Sequence, residues 1–114
     1  MRDPMNWLLG GILVFFVGRM ILGAMRRISS QEAHAKVSAG ALLLDVRTPS
    51  EFASGALPGA KNIPVQSLAG RLEELPRDRP IVVYCASGMR SASATSLLKS
   101  RGFDAHDLGP GSRW

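Results

Sequence analysis

The chain has one cysteine, Cys85, and an arginine, Arg90, follows it at the end of a short glycine-containing segment. An apolar run leads into the cysteine, and small residues typical of a helix follow the arginine. Where a strand passes into a helix, the first free amides of the helix converge and attract an anion. Gly88 permits a tight turn, and Arg90 adds a cation suited to oxyanions. The pattern therefore predicts a nucleophilic Cys85 beside an anion site.

Alternating strand and helix patterns position this segment. Ser29 with Glu32, and Thr48 with Glu51, have the spacing of capping boxes, and each pair predicts the start of a helix. Apolar runs at 41–44 and 81–84 predict strands, the first of them buried on both faces, and further strands are expected over 60–63 and 105–108. Two further helices are expected, one with Leu68, Leu72 and Leu75 on a single face and Pro76 at its end, the other over 91–101. The alternation predicts an α/β domain with a mainly parallel sheet, whose reactive groups lie at the C-terminal ends of the strands.

Length, charge and cysteine count restrict the function. The 114 residues suffice for one small domain with one core. The formal charge is +5 at pH 7, and four arginines in the first 27 residues carry much of it. The remainder has no basic run, so we expect no nucleic-acid partner. One cysteine excludes an internal disulfide and a cysteine-rich zinc site, and we expect neither a metal nor a cofactor.

The N-terminal segment is strongly apolar. Residues 4–25 have few polar side chains, and a helix of that length would be about 30 Å long, enough to cross a membrane. Arg26 and Arg27 follow directly, and cationic residues favour the cytoplasmic side. We therefore predict a single-pass anchor with its basic flank over 1–27, N-terminus outside, and a domain over 28–114 on the cytoplasmic side. A signal peptide, a core helix of the domain and an interfacial helix are the alternatives.

Residues 28–114 resemble a single rhodanese-like domain, the fold of a class of sulfurtransferases. The resemblance rests on the stretches LLLDVRTPSEFASGALPGAKNIP, IVVYCASGMRSASATSLLKSRGF and DLGPGSRW. It implies an α/β domain with a central, mainly parallel sheet flanked by helices. It also implies that Cys85 takes a sulfane sulfur from thiosulfate or a similar donor and becomes a persulfide. Cyanide, a cellular thiol or a protein acceptor would then remove the sulfur.

The resemblance also implies roles for the neighbours of the cysteine. An amide cradle and its closing cation would be formed by Ala86, Ser87, Gly88, Met89 and Arg90. Asp45 and Arg47 match the family's acidic and basic pair near the site, for which we expect a structural role. The loop has six residues from Cys85 to Arg90, as in the sulfurtransferases of the family, whereas its phosphatase and arsenate-reductase members have one more.

Two departures from the family pattern lie outside the loop. Ala56 stands where histidine is common, and Pro110 stands where the second glycine of a pair is common. We interpret both as local changes in turn structure. Two other functions remain open. One is a membrane-tethered sulfur carrier, redox sensor or docking module without turnover. The other, less favoured, is a phosphatase or arsenate reductase on the same fold.

Overall fold

The computed structural model of the protein describes residues 11–12, 14–15 and 26–114. Strands and helices alternate along the last of these ranges, as the sequence predicts. In chain order they are α1 (Ser30–Ser38), β1 (Leu42–Asp45), α2 (Pro49–Ala53), β2 (Lys61–Asn62), α3 (Val65–Leu68), β3 (Ile81–Cys85), α4 (Met89–Ser100) and β4 (Ala105–Pro110), with 3₁₀ turns at Leu72–Glu74 and Gly111–Arg113.

The strands form one parallel sheet in the order β2-β1-β3-β4. Strand β1 pairs with β3 from Leu42 opposite Ile81 to Asp45 opposite Tyr84. Both central strands therefore end at the same edge, which places Asp45 one register position before Cys85. The predicted α/β fold with a parallel sheet is confirmed. The edge where the carboxyl ends of parallel strands meet is where sites of such folds form.

Side chains of the sheet pack into a core on each face. Along β3, Val83 and Cys85 contact the cluster that includes Leu98 of α4. Val82 and Tyr84 contact the opposite cluster, together with Ile28, Leu43 and Leu108. Every residue of β3 is buried, as expected for a central strand with helices on both sides. The cysteine thus belongs to the face that α4 covers.

Local hydrogen bonds fix the starts of two helices where the sequence predicts them. The Thr48 hydroxyl accepts from Glu51 N at 3.1 Å, and the Glu51 carboxylate accepts from Thr48 N at 3.1 Å, which completes a capping box. The Ser29 hydroxyl accepts from Glu32 N at 3.1 Å. Pro49 occupies the start of α2, where its missing N–H leaves no donor unpaired.

The prediction of one continuous helix carrying three leucines is wrong. Helix α3 ends at Leu68, and a separate 3₁₀ turn holds Leu72. Gly70, a poor helix former, lies at the break. Leu68 and Leu75 are both buried in the same core cluster, so the break is compatible with the burial that the leucine spacing predicted.

The prediction of a membrane-spanning location with the N-terminus outside is corrected. Among residues 11–12, 14–15 and 26–114, no helix has the length and apolar character needed to cross a membrane. Most of the apolar segment on which that prediction rested lies outside the described residues. Arg27, which was assigned to the flank of the anchor, forms a parallel bridge with Asp107 of β4.

Candidate active site

Cys85 is the last residue of β3, and its side chain is fully buried. Its Sγ accepts hydrogen bonds from Gly88 N at 3.0 Å and from Ser91 N at 3.3 Å. Gly88 is the N-cap of α4, and Ser91 lies in the first turn. Amides at a helix start have no carbonyl partner within the helix, so they are free to donate to the sulfur. Two amide donors directed at one atom favour negative charge at that point, so the arrangement suits an anionic group bound beside the sulfur.

The turn at Gly88 holds these amides in place. Gly88 has φ +101°, in the left-handed region that other L-residues adopt only with strain. The Ser91 hydroxyl donates to Gly88 O at 3.1 Å, and Ser91 is fully buried. Ser91 lies outside the loop residues that the sequence singled out. The sequence does contain a signal for Ser91. It directly follows Arg90, at the start of a predicted helix, and the first turn of a helix has free backbone amides.

The remaining loop residues divide by exposure. Ala86, Ser87 and Met89 are exposed, and Gly88 is buried. Met89 is 81% exposed, so an apolar side chain stands at the rim of the loop. Of the predicted loop residues, Gly88 donates its amide to the sulfur, and the second amide donor is Ser91, which lies just after the loop.

Arg90 is paired with a carboxylate. Its guanidinium donates to both oxygens of Glu51, at 2.6 and 3.0 Å. The hydrogen bonds from Arg90 are the main reason that the pKa of Glu51 is lowered to about 2, and the same contact raises the pKa of Arg90. The pair ties the start of α4 to the start of α2. From the sequence, Glu51 is predicted only as a helix cap, and its contact with Arg90 was not predicted.

Asp45 and Arg47 form a second ion pair at the same edge. Asp45 is fully buried and accepts from Arg47 N at 2.8 Å and from Arg47 Nη2 at 2.7 Å. The same Nη2 donates to Gly55 O at 2.8 Å. The hydrogen bond with Asp45 raises the pKa of Arg47. The pair therefore fastens the turn at Gly55 to the end of β1.

A cleft of about 360 Å³ opens beside Cys85 at this edge. It is lined by Arg47, Gly55, Ala56, Leu57, Tyr84, Cys85, Ala86, Gly111 and Ser112. The Tyr84 hydroxyl accepts from Leu57 N at 3.0 Å, and burial is the main cause that raises the pKa of Tyr84. Ala56, one of the two departures from the family pattern, thus lies in the wall of the cleft.

Comparisons with known proteins agree with this geometry. The model of the family described as "Rhodanese-like domain" matches residues 29–111. A sulfurtransferase of Allochromatium vinosum is 44% identical over 62 residues, which are 54% of this chain and 58% of that protein. The thiosulfate sulfurtransferase GlpE of Stutzerimonas stutzeri is 36% identical over 78 residues, 68% of this chain and 72% of that protein.

Solved structures give the same result. The human single-domain sulfurtransferase TSTD1 superposes with a TM-score of 0.66 at 31% sequence identity. The match covers 77% of this chain and 93% of the human chain. The chain spans little more than half of the Allochromatium protein, so the match to that relative covers only part of its length.

Proposed function

The chain belongs to the rhodanese-like domain family, and from that premise we propose that it moves a sulfane sulfur from thiosulfate or a similar donor to a thiophilic acceptor through a persulfide on Cys85. The predicted class of this domain, a rhodanese-type transferase, is confirmed by relatives named thiosulfate sulfurtransferase and by the human sulfurtransferase. The donor, the acceptor and the roles of individual residues are our proposal.

The observation that carries the proposal is the pair of hydrogen bonds from Gly88 N and Ser91 N to the Cys85 sulfur. A sulfur that accepts two amide hydrogen bonds at a helix start is stabilised as the thiolate. The thiolate is the nucleophilic form of cysteine. The amides are held by the fold before any substrate binds, so no reorganisation is needed when the charge moves.

The reaction proceeds in two displacements. The Cys85 thiolate attacks the outer sulfur of thiosulfate; the Sγ–S bond forms as the sulfur–sulfur bond of the donor breaks, and sulfite leaves with the electron pair. The enzyme then holds a persulfide anion. An acceptor such as cyanide attacks its terminal sulfur, a carbon–sulfur bond forms, thiocyanate leaves, and the Cys85 thiolate returns. With a thiol acceptor, the thiolate form takes the sulfur in the same way and becomes a persulfide.

The other site residues support these displacements. We assign the loop amides from Ala86 to Met89, with that of Ser91, to the charge of the thiolate and of the terminal persulfide sulfur. Arg90 keeps the helix start in position through Glu51. Asp45 and Arg47 hold the wall of the cleft by which a donor approaches. The six-residue loop supports sulfur chemistry over phosphoryl chemistry, because one added sulfur atom needs less room than a tetrahedral phosphate.

The proposal is tested by assaying the full chain with thiosulfate and cyanide. We expect the wild-type chain to form thiocyanate through many turnovers and Cys85→Ser to form none. Formation of the persulfide without turnover, with either cyanide or a thiol, would contradict the enzymatic proposal and favour a sulfur carrier. Hydrolysis of an aryl phosphate that disappears in Cys85→Ser, with no sulfur transfer, would favour a phosphatase.

A further inference from the structure

Three arginines lie around the Cys85 loop, and they differ in their partners. Arg47 is paired with Asp45 at 2.7 Å, and Arg90 is paired with Glu51 at 2.6 Å. Arg27 has no carboxylate partner within the part of the chain that the structure describes. A paired arginine adds little net potential around it, because the carboxylate cancels most of its field. Of the three arginines, Arg27 is therefore the one whose positive charge no carboxylate of the described residues within ion-pair distance cancels.

The backbone fixes Arg27 next to the loop. Arg27 forms a parallel bridge with Asp107, and the adjacent Ile28 N donates to Asp107 O at 2.8 Å. These contacts attach the segment to the edge of β4, and Ile28 is buried in the core beneath it. The position of the arginine is thus set by the sheet, although its side chain is exposed.

Two glycines make room for the Arg27 side chain. A Cβ added at Gly109 would lie 2.9 Å from both Cδ and Nε of Arg27. A Cβ added at Gly88 would lie 2.9 Å from Cζ of Arg27 and would overlap its Nη2. The guanidinium therefore occupies the space that side chains at these two positions would fill. Gly88 is the residue whose amide donates to the Cys85 sulfur at 3.0 Å.

We propose that Arg27 is a donor-attracting residue of this site: seated against Gly88 and Gly109, its guanidinium supplies the unpaired positive charge that attracts an anionic sulfur donor. The inference rests on the proposed sulfur transfer and adds to it the residue that favours a donor whose sulfane sulfur is carried by an oxyanion, as in thiosulfate, over an uncharged organic polysulfide. The charge raises the local concentration of anions near the loop.

The experiment compares Arg27→Gln, Arg27→Lys and Arg26→Gln in the full chain. Arg26 is the matched control, because it is the adjacent exposed arginine and lines a different cavity with Glu32, Lys99 and His106. We expect Arg27→Gln to raise KM for thiosulfate about three- to tenfold with kcat within about twofold, since an exposed charge beside the loop acts mainly on encounter. Added salt should shrink this difference, because the charge is exposed.

Alkylation of Cys85 supplies a readout that does not depend on sulfur transfer. Iodoacetate is anionic and iodoacetamide is neutral, so the ratio of their rates with Cys85 reports the local potential. We expect this ratio to fall about three- to tenfold in Arg27→Gln and to stay near wild type in Arg27→Lys and Arg26→Gln. A role in packing alone would instead slow both reagents equally in Arg27→Gln and Arg27→Lys.

The outcomes separate this inference from the proposed function. If wild type transfers sulfur and Arg27→Gln equals Arg26→Gln in both KM and alkylation ratio, the role of Arg27 is refuted. Equal loss with both reagents, in both Arg27 variants, refutes the role of its charge. If wild type forms no persulfide while Arg27→Gln still loses its preference for iodoacetate, the proposed function fails and the anion-attracting role of Arg27 stands.

Discussion

The substitution Gly88→Ala tests whether the geometry of the Cys85 loop affects activity by more than its effect on the stability of the domain. Gly88 has φ +101°, and an L-residue in that region costs about 1–2 kcal/mol. The new Cβ would lie 3.3 Å from Pro110 Cδ and would meet the guanidinium of Arg27. The Arg27 group is the exposed end of a flexible side chain and can move away at little cost. The expected loss in free energy of unfolding is therefore about 1–2 kcal/mol, from the backbone alone.

The loss of activity should be larger than this strain implies. If the strained turn moves Gly88 N away from the Cys85 sulfur, the thiolate loses a hydrogen bond worth about 1.5–3 kcal/mol. That free energy corresponds to about ten- to a hundredfold in the rate of persulfide formation. The displaced Arg27 would weaken the attraction of thiosulfate in addition.

Gly40→Ala is the matched control. Gly40 has φ +107°, follows the end of α1, and has no atom within 4 Å of an added Cβ. Urea unfolding should give similar losses for the two variants, whereas the rate of persulfide formation, followed by mass spectrometry, should fall only in Gly88→Ala. The reasoning is refuted if Gly88→Ala reacts with thiosulfate at the wild-type rate, or if Gly40→Ala slows it equally.

Further substitutions test the ion pairs and the core. Glu51→Gln should slow persulfide formation, because Arg90 loses its bidentate acceptor. The folded-state pKa of Glu51 is lowered from 4.5 to about 2, so its stabilising contribution is complete above pH 4.5 and disappears as the pH falls toward 2. The difference between wild type and Glu51→Gln in urea unfolding should shrink over that range. Glu74→Gln should show the same acid dependence, since the pKa of Glu74 is also lowered to about 2, but sulfur transfer should be unchanged. Asp45→Asn should lower the free energy of unfolding by about 3–5 kcal/mol, because it removes one partner of a buried pair; a loss below about 1 kcal/mol would mean that the pair behaves as an exposed one. Leu98→Ala should cost about 2–5 kcal/mol in the same measurement, with the transfer rate per folded molecule unchanged; a slower rate would show that core packing sets the loop geometry.

Local signals in the sequence predicted much of the fold. The capping box at Thr48 and Glu51 involves neighbours along the chain, so its residue types suffice to predict it. The strand over 81–84 could also be predicted from neighbouring residues alone, because a short continuous apolar run is stable in a small domain mainly as a buried strand. The helix expected through Leu72 failed because a leucine spacing reports a shared buried side and does not require an unbroken helix.

Contacts between distant residues were beyond such signals. Glu51 and Arg90 are 39 positions apart, and only the sheet topology brings α2 and α4 together at one edge. Arg27 was assigned to a basic flank because of its neighbours in sequence. Its contact with Gly88 and Gly109 arises from a bridge to β4. The residue types around Cys85 predicted a site there, with Arg90 and the Asp45–Arg47 pair close to it. The carboxylate partner of Arg90 and the place of Arg27 could not be predicted, because both depend on contacts between distant parts of the chain.

The most direct test of the account is the mass of the intact chain after exposure to thiosulfate. We expect the protein to gain one sulfur atom, located at Cys85 by peptide mapping, and to lose it again on addition of cyanide. Cys85→Ser should gain none. A folded wild-type chain that reacts with iodoacetamide at Cys85 but keeps its original mass in thiosulfate would contradict the account.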